Sequence, residues 1–142
     1  MDYRIAGRVI IPEDRGKKIL LVEQVPEENF WIIPGGGVEE GETSTQAAIR
    51  ELSEETGLEV ELVRFLWCSE DYSPKSNQLS MDLIYLGRRI GGELGSSEHR
   101  TRFFDLSSLT QEARYPCLEF WQLLASHFAN TDSMGTPLLS RK

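Results

Sequence analysis

Pro34 and the three glycines behind it, Gly35-Gly36-Gly37, end one kind of structure, and Thr43 begins another. Upstream, Trp31-Ile32-Ile33 reads as a short strand that the proline stops. The glycines give the backbone a freedom that other residues lack. Thr43 is a good helix N-cap with Gln46 three residues on, the spacing of a capping box, and Gly57 supplies the C-terminal stop. The chain must therefore pass from a strand through a glycine loop into a helix. Strand patterns on both sides of that helix predict one mixed α/β domain.

Those flanking patterns are β-branched-rich. Tyr3 to Ile11 and Lys18 to Val25 are two such runs, separated by the turn-rich Pro12-Glu13-Asp14-Arg15-Gly16. Val60 to Trp67 and Leu79 to Leu86 are two more, around the polar, turn-like Glu70–Asn77. Gly91-Gly92 breaks the pattern, and Arg102-Phe103-Phe104 resumes an extended run. From Tyr115 to Phe128, Leu118, Trp121, Leu124, Ala125 and Phe128 fall at helical spacing, which predicts an amphipathic helix packed on the sheet. Residues 1–130 read as a single domain and 131–142, with Ser, Thr, Gly and Pro, as a flexible C-terminal tail.

Charge locates the chemistry. The 142 residues carry 23 Asp+Glu against 15 Lys+Arg, a formal net charge of -8. Residues 39–61 hold eight of those acids (Glu39, Glu40, Glu42, Glu51, Glu54, Glu55, Glu59, Glu61) and one base, Arg50, so this stretch contributes -7. The rest of the chain is nearly neutral. An acidic balance disfavours coating a nucleic-acid duplex or an anionic membrane, since such proteins gain affinity by neutralising phosphates with Lys and Arg. No apolar run approaches the roughly 18 residues of a membrane span, and no signal-like segment opens the chain. The two cysteines, Cys68 and Cys117, form neither a disulfide framework nor a zinc motif. The expected location is the cytoplasm.

At about 100° per residue, Glu51, Glu54 and Glu55 share one arc of the predicted helix, beside the apolar side formed by Ala48, Ile49, Leu52 and Thr56. Like charges at i, i+3 and i+4 destabilise an isolated helix by a few tenths of a kcal/mol per pair. Such a face is either simply solvated or built for a hard divalent cation such as Mg²⁺, whose ligands are carboxylates, carbonyls, water and phosphates.

Gly36, five residues, Glu42, seven residues, and then Arg50-Glu51-Leu52-Ser53-Glu54-Glu55-Thr56-Gly57-Leu58 match the signature of the Nudix hydrolase family at every fixed position. Phe30-Trp31 before Pro34, Gly91-Gly92, and the run from Arg102 to Leu106 resemble the strands that flank that box, so the resemblance covers about residues 3–128. It implies the Nudix fold, a mixed β-sheet sandwiched between helices (α/β/α). It also implies that Glu51, Glu54 and Glu55, with the carbonyl of Gly35, bind Mg²⁺ or Mn²⁺, and that Arg50 and Glu42 orient those carboxylates. Glu51, Glu54 and Arg50 would then serve catalysis. The general base would be a glutamate of the box or of a later loop, where Glu98 matches best and Glu93 competes.

Further expectations concern substrate contacts. Trp31, Phe30, Tyr72 and Trp67 could stack on a nucleobase, and Pro74 has a spacing from Leu58 that resembles ADP-ribose pyrophosphatases. Trp31, Tyr72 and Pro74 are thus the candidate substrate contacts. Arg4, Arg8, Lys75, Arg88 and Arg89 are candidate phosphate contacts or plain surface. Asp82 is expected to make a structural hydrogen bond or face solvent, and His99 and His127 are too scattered for histidine chemistry.

The expected reaction is metal-dependent hydrolysis of a pyrophosphate bond in a small nucleotide, either ADP-ribose-like or a (deoxy)nucleoside triphosphate. The alternatives are a non-catalytic nucleotide sensor and a 5′-pyrophosphohydrolase of RNA, although no basic cluster longer than Lys17-Lys18 or Arg88-Arg89 favours a polymeric partner. The chain is expected as a monomer or homodimer.

Overall fold

The computed structural model describes residues 1–97 and 99–130. Strand β1 (Asp2–Ile10) lies between β5 (Gly35–Gly37) and β7 (Gln78–Gly92), and β7 pairs in turn with β6 (Leu58–Ser73). β1 and β7 run parallel, in register from Asp2 against Gln78 to Ile10 against Leu86, and the other pairs are antiparallel. A second, antiparallel sheet is centred on β3 (Lys18–Val25). It pairs with β2 (Pro12–Glu13), β4 (Phe30–Ile32) and β8 (Thr101–Asp105).

Among the described residues three α-helices cover these sheets, α1 (Ser44–Thr56) on one face and α2 (Leu106–Glu112) with α3 (Leu118–Asn130) on the other. Alternation along the strands explains the layering, because successive side chains point to opposite faces. Val9, Ile11 and Leu20 pack with Ala48 and Leu52 of α1. Their neighbours Ile10, Ile19 and Leu21 pack with Leu109, Trp121 and Leu124. The α/β/α arrangement is therefore the expected one. α1 approaches β1 closely, since a Cβ on Gly7 would lie 2.1 Å from the Ser44 carbonyl oxygen.

The strands form two sheets, one of them mixed. The structure corrects three other readings. The β6–β7 hairpin is longer than expected, running to Ser73 and back from Gln78, so the turn shrinks to residues 74–77. Its polar end is stabilised by cross-strand pairing rather than burial, which hydrophobic patterning does not reveal. Gly91 and Gly92 do not break β7 but pair with Glu59 and Leu58. Finally, the C-terminal helix starts at Leu118 rather than Tyr115, and the short α2 escapes notice because only Leu106 and Leu109 are buried on it. Residues 131–142, expected as a tail, lie outside the described residues.

Candidate active site

The acidic helix is anchored at both ends. The Gln46 N–H donates to Thr43 Oγ1 at 3.2 Å and the Thr43 N–H to Gln46 Oε1 at 2.9 Å, which completes the capping box. Gly57 closes the helix at φ 83°, where its N–H reaches the Ser53 carbonyl at 2.9 Å. Between these caps α1 lies across β5, and Glu51 rests against Gly36. A Cβ at that glycine would stand 2.5 Å from Glu51 Cδ, so no other residue leaves room for the carboxylate.

Arg50 gathers the charges. Its Nε and Nη2 take both oxygens of Glu42 at 2.6 and 3.0 Å, Nη1 reaches Glu51 at 3.0 Å and Glu54 at 3.2 Å, and Nη2 also donates to the Gly37 carbonyl at 3.2 Å. The bidentate pairing with Glu42 holds the guanidinium charged, well above its already high ordinary pKa. Hydrogen bonding to Arg50, with help from the Glu39 N–H, holds the Glu42 carboxyl below the usual range. One cation thus ties the loop, the strand and two helix carboxylates together.

Glu55 differs from its neighbours in being buried, with Oε1 accepting from the Gly35 N–H at 2.9 Å. Burial pushes its carboxyl up to about 7; the Gly35 hydrogen bond opposes this and the Glu51 charge adds to it. Because the value for the free group is 4.5, the folded chain between pH 4.5 and 7 keeps a proton that the unfolded chain has lost. This group's contribution to stability therefore falls as the pH rises through that window. In EDTA, Glu55→Gln is expected to lose that dependence and to exceed the wild type at pH 8 by about 3 kcal/mol. Urea unfolding at pH 5 and 8 checks it, and an equal decline in both proteins would count against the buried carboxyl as its source.

The donors available here are the carboxylates of Glu51, Glu54 and Glu55 and the backbone carbonyls of the glycine strand, all oxygen, a set that suits a hard divalent ion. Among the described residues no three acidic, His or Cys side chains already stand at ligand spacing. Glu51 and Glu54 are instead held by Arg50 and Glu55 by Gly35, so a cation would compete with those hydrogen bonds.

On the α2–α3 side of the sheets opens a cavity of about 490 Å³ lined in part by Trp31, Ile33, Arg102, Phe104 and Tyr115. Trp31 meets Phe104 edge to face at 5.4 Å. The Arg102 guanidinium stands 5.1 Å from the Trp31 ring and 4.2 Å from that of Phe104. Arg8 links cavity and acids. It is buried, donates to Asp82 at 3.0 Å and to the Ile33 carbonyl at 2.9 Å, and lies over the Tyr115 ring at 5.5 Å, while Tyr115 in turn donates to Asp82.

The expected residues are thus only partly assembled. Glu42, Arg50, Glu51, Glu54, Glu55 and Gly35 converge, and Trp31 and Phe30 line the cavity. Tyr72 and Pro74 do not join them, because the hairpin tip carries them away, where Tyr72 Oη bonds Asn77 Oδ1 at 2.8 Å. Trp67 packs on Phe120. Arg8 is a buried structural cation rather than a phosphate contact, and Asp82 is its partner. Arg88 and Arg89 pair with Glu61 and Glu13, and Lys75 is exposed on the hairpin turn. Arg4 points toward Gly37, at the site's rim. Glu93 lies in the loop after β7, where its N–H bonds the Gly57 carbonyl, and Glu98 lies outside the described residues. His99 is exposed, and His127 lies on α3 against Phe128. Among the described residues, no helix is long and apolar enough to cross a membrane.

Sequence reasoning missed Arg102, Phe104 and Tyr115. The signal for the first two was present: residues two apart on a strand share a face.

The model of the NUDIX domain matches residues 2–129. An ADP-ribose pyrophosphatase of Methanocaldococcus jannaschii is 36% identical over 106 residues, 70% of this chain and 62% of that protein. An RNA pyrophosphohydrolase of Roseobacter denitrificans is 37% identical over 98 residues, 66% of this chain and 59% of that protein. The chain thus spans about three fifths of the length of these relatives. Among solved structures, a NUDIX hydrolase from Nitrosomonas europaea has the same fold, with a TM-score of 0.69 at 21% identity, covering 99% of this chain and 98% of that one. With the signature complete from Gly36 to Leu58 and the family match extending across both sheets and all three helices, the chain belongs to the Nudix family.

Proposed function

We propose that this protein is a divalent-metal-dependent pyrophosphohydrolase of a small nucleoside diphosphate derivative, with residues 1–130 as its single catalytic domain and the cytoplasm as its location. The observation that carries this reading is the gathering of Glu42, Glu51 and Glu54 on Arg50 and of Glu55 on Gly35, in a chain whose aromatic cavity has Ile33, two positions before Gly35, in its wall. Glu51, Glu54, Glu55 and the Gly35 carbonyl would hold Mg²⁺ or Mn²⁺. When bound, the metal supplies charge stabilisation at phosphorus and lowers the pKa of water.

The chain's own residues do the rest. Arg50 and Glu42 set the orientation of Glu51 and Glu54. Trp31 with Phe104 offers a stacking surface for the nucleoside, and Arg102 offers donors at the same mouth. A carboxylate of the box or Glu98 accepts the proton of the attacking water. The cavity's 490 Å³ falls in the range typical of small-molecule sites, which supports one nucleotide rather than an RNA strand as its occupant.

Phosphate and nucleotide release from ADP-ribose, deoxynucleoside triphosphates and 5′-triphosphorylated RNA, each with Mg²⁺ or Mn²⁺ and with EDTA, tests this. Metal-dependent turnover of a small nucleotide is the expected result. Preference for the RNA would move the substrate to the polymer, and binding without turnover of any of them would identify a sensor instead.

A further inference from the structure

We infer that the uncovered lower half of the β1–β7–β6 face is a dimerisation surface for a second copy of this chain. α1 begins at Ser44, beside Gly7 and within 2.7 Å of the Tyr85 hydroxyl, so it covers only the upper half of the sheet face on its side. Below it, register sets three rows across the strands. Tyr3, Leu79 and Tyr72 form one, Ile5, Met81 and Glu70 the next, and Leu83 and Cys68, beside the α1-covered Gly7, the third. Phe65 flanks them, edge-on to Tyr85 at 5.7 Å. Glu70 is the lone charged residue in these rows, whereas the opposite face of the same strand segments carries Arg4, Asp82, Ser80 and Asp71. Alternation has placed the apolar side outward with no described element over it.

Exposure gives the scale. Tyr3 is 69% exposed, Phe65 53% and Tyr72 47%. Since an aromatic side chain buries about 150–250 Å² when covered, these three rings alone leave roughly 250–400 Å² open. Each partner of a stable interface contributes about 800 Å². The rings would thus supply a third to a half of that, before Ile5, Met81, Leu79, Leu83 and Cys68 are added.

Three observations favour a second copy. Residues 131–142 follow Asn130 at the end of α3, which packs on the other side of the sheets with Phe128 against Gly16, and the first six of them, Thr-Asp-Ser-Met-Gly-Thr, are mostly polar. The charge also permits it: Glu70 is the lone charge in the three rows, and Glu51 and Glu54 are held on α1 by Arg50 rather than standing among them. And a three-strand face suits pairing about a two-fold axis, because two sheets pack about 10 Å apart with strands within about 30° of each other.

Sedimentation velocity of the full chain between 5 and 100 µM tests this, with Tyr3→Lys and Met81→Lys compared against the wild type and circular dichroism confirming that each variant is folded. The wild type is expected to approach twice 16.2 kDa, and either folded variant to shift toward the monomer by at least tenfold in dissociation constant. Cys68, exposed on this face in a single chain, gives a readout on the wild type that needs no substitution. Its alkylation by iodoacetamide, read peptide by peptide, should slow as protein concentration rises while that of Cys117 does not. A monomeric wild type at 100 µM, or a dimer whose strength and Cys68 reactivity ignore this face, overturns the proposal.

Discussion

Glu54→Gln is expected to lower Mg²⁺-dependent turnover by about 10²–10³-fold while leaving the protein as stable as the wild type within about 0.5 kcal/mol. The two halves of this expectation come from the same geometry. Glu54 is exposed, and its one close partner among the described residues is Arg50 Nη1 at 3.2 Å, a helical i,i+4 pair whose loss changes stability by a few tenths of a kcal/mol. Glutamine keeps the shape and the hydrogen bond but not the charge a divalent ion requires. Steady-state kinetics beside thermal unfolding checks both halves. Full activity would remove Glu54 from the metal site; loss of activity together with loss of fold would make its role structural.

Gly36→Ala tests the geometry rather than the charge. The new methyl would stand 2.5 Å from Glu51 Cδ and within 2.8 Å of both its oxygens. What must yield is the end of a flexible side chain, so the fold survives and Glu51 moves. A displacement of this size at a reacting centre costs about a hundredfold in rate. Activity in Gly36→Ala is therefore expected to fall about 10²-fold with the unfolding midpoint nearly unchanged, and a larger metal requirement should accompany it. Unchanged kinetics would show that Glu51 is not confined against β5 during the reaction.

The parts of this molecule that were legible in its sequence are those governed by neighbours along the chain. The ends of α1 follow from Thr43, Gln46 and Gly57, and the shared face of Glu51, Glu54 and Glu55 follows from helical spacing alone. Arg50 and Glu42, eight residues apart, were legible through the family resemblance, and the structure gives that pairing a physical form in a bidentate contact. What was hidden depends on contacts between distant segments. Arg8 looked like surface because its partner Asp82 is 74 positions away and reaches it only through the parallel β1–β7 pairing. Tyr72 looked like a substrate contact because nothing in a local pattern tells how far a hairpin extends. The Trp31–Phe104–Arg102 cluster needs β4 and β8 to flank β3, a topology that no short window contains.

If carboxylates on α1 serve a metal-dependent attack of water on phosphorus, hydrolysis of the preferred nucleotide in ¹⁸O-labelled water, with Mg²⁺ and then with EDTA, reveals it in the products. One labelled oxygen per turnover is expected on a phosphate of the products, with no turnover once the metal is chelated. Label in a sugar hydroxyl, or turnover that EDTA leaves unchanged, would contradict it.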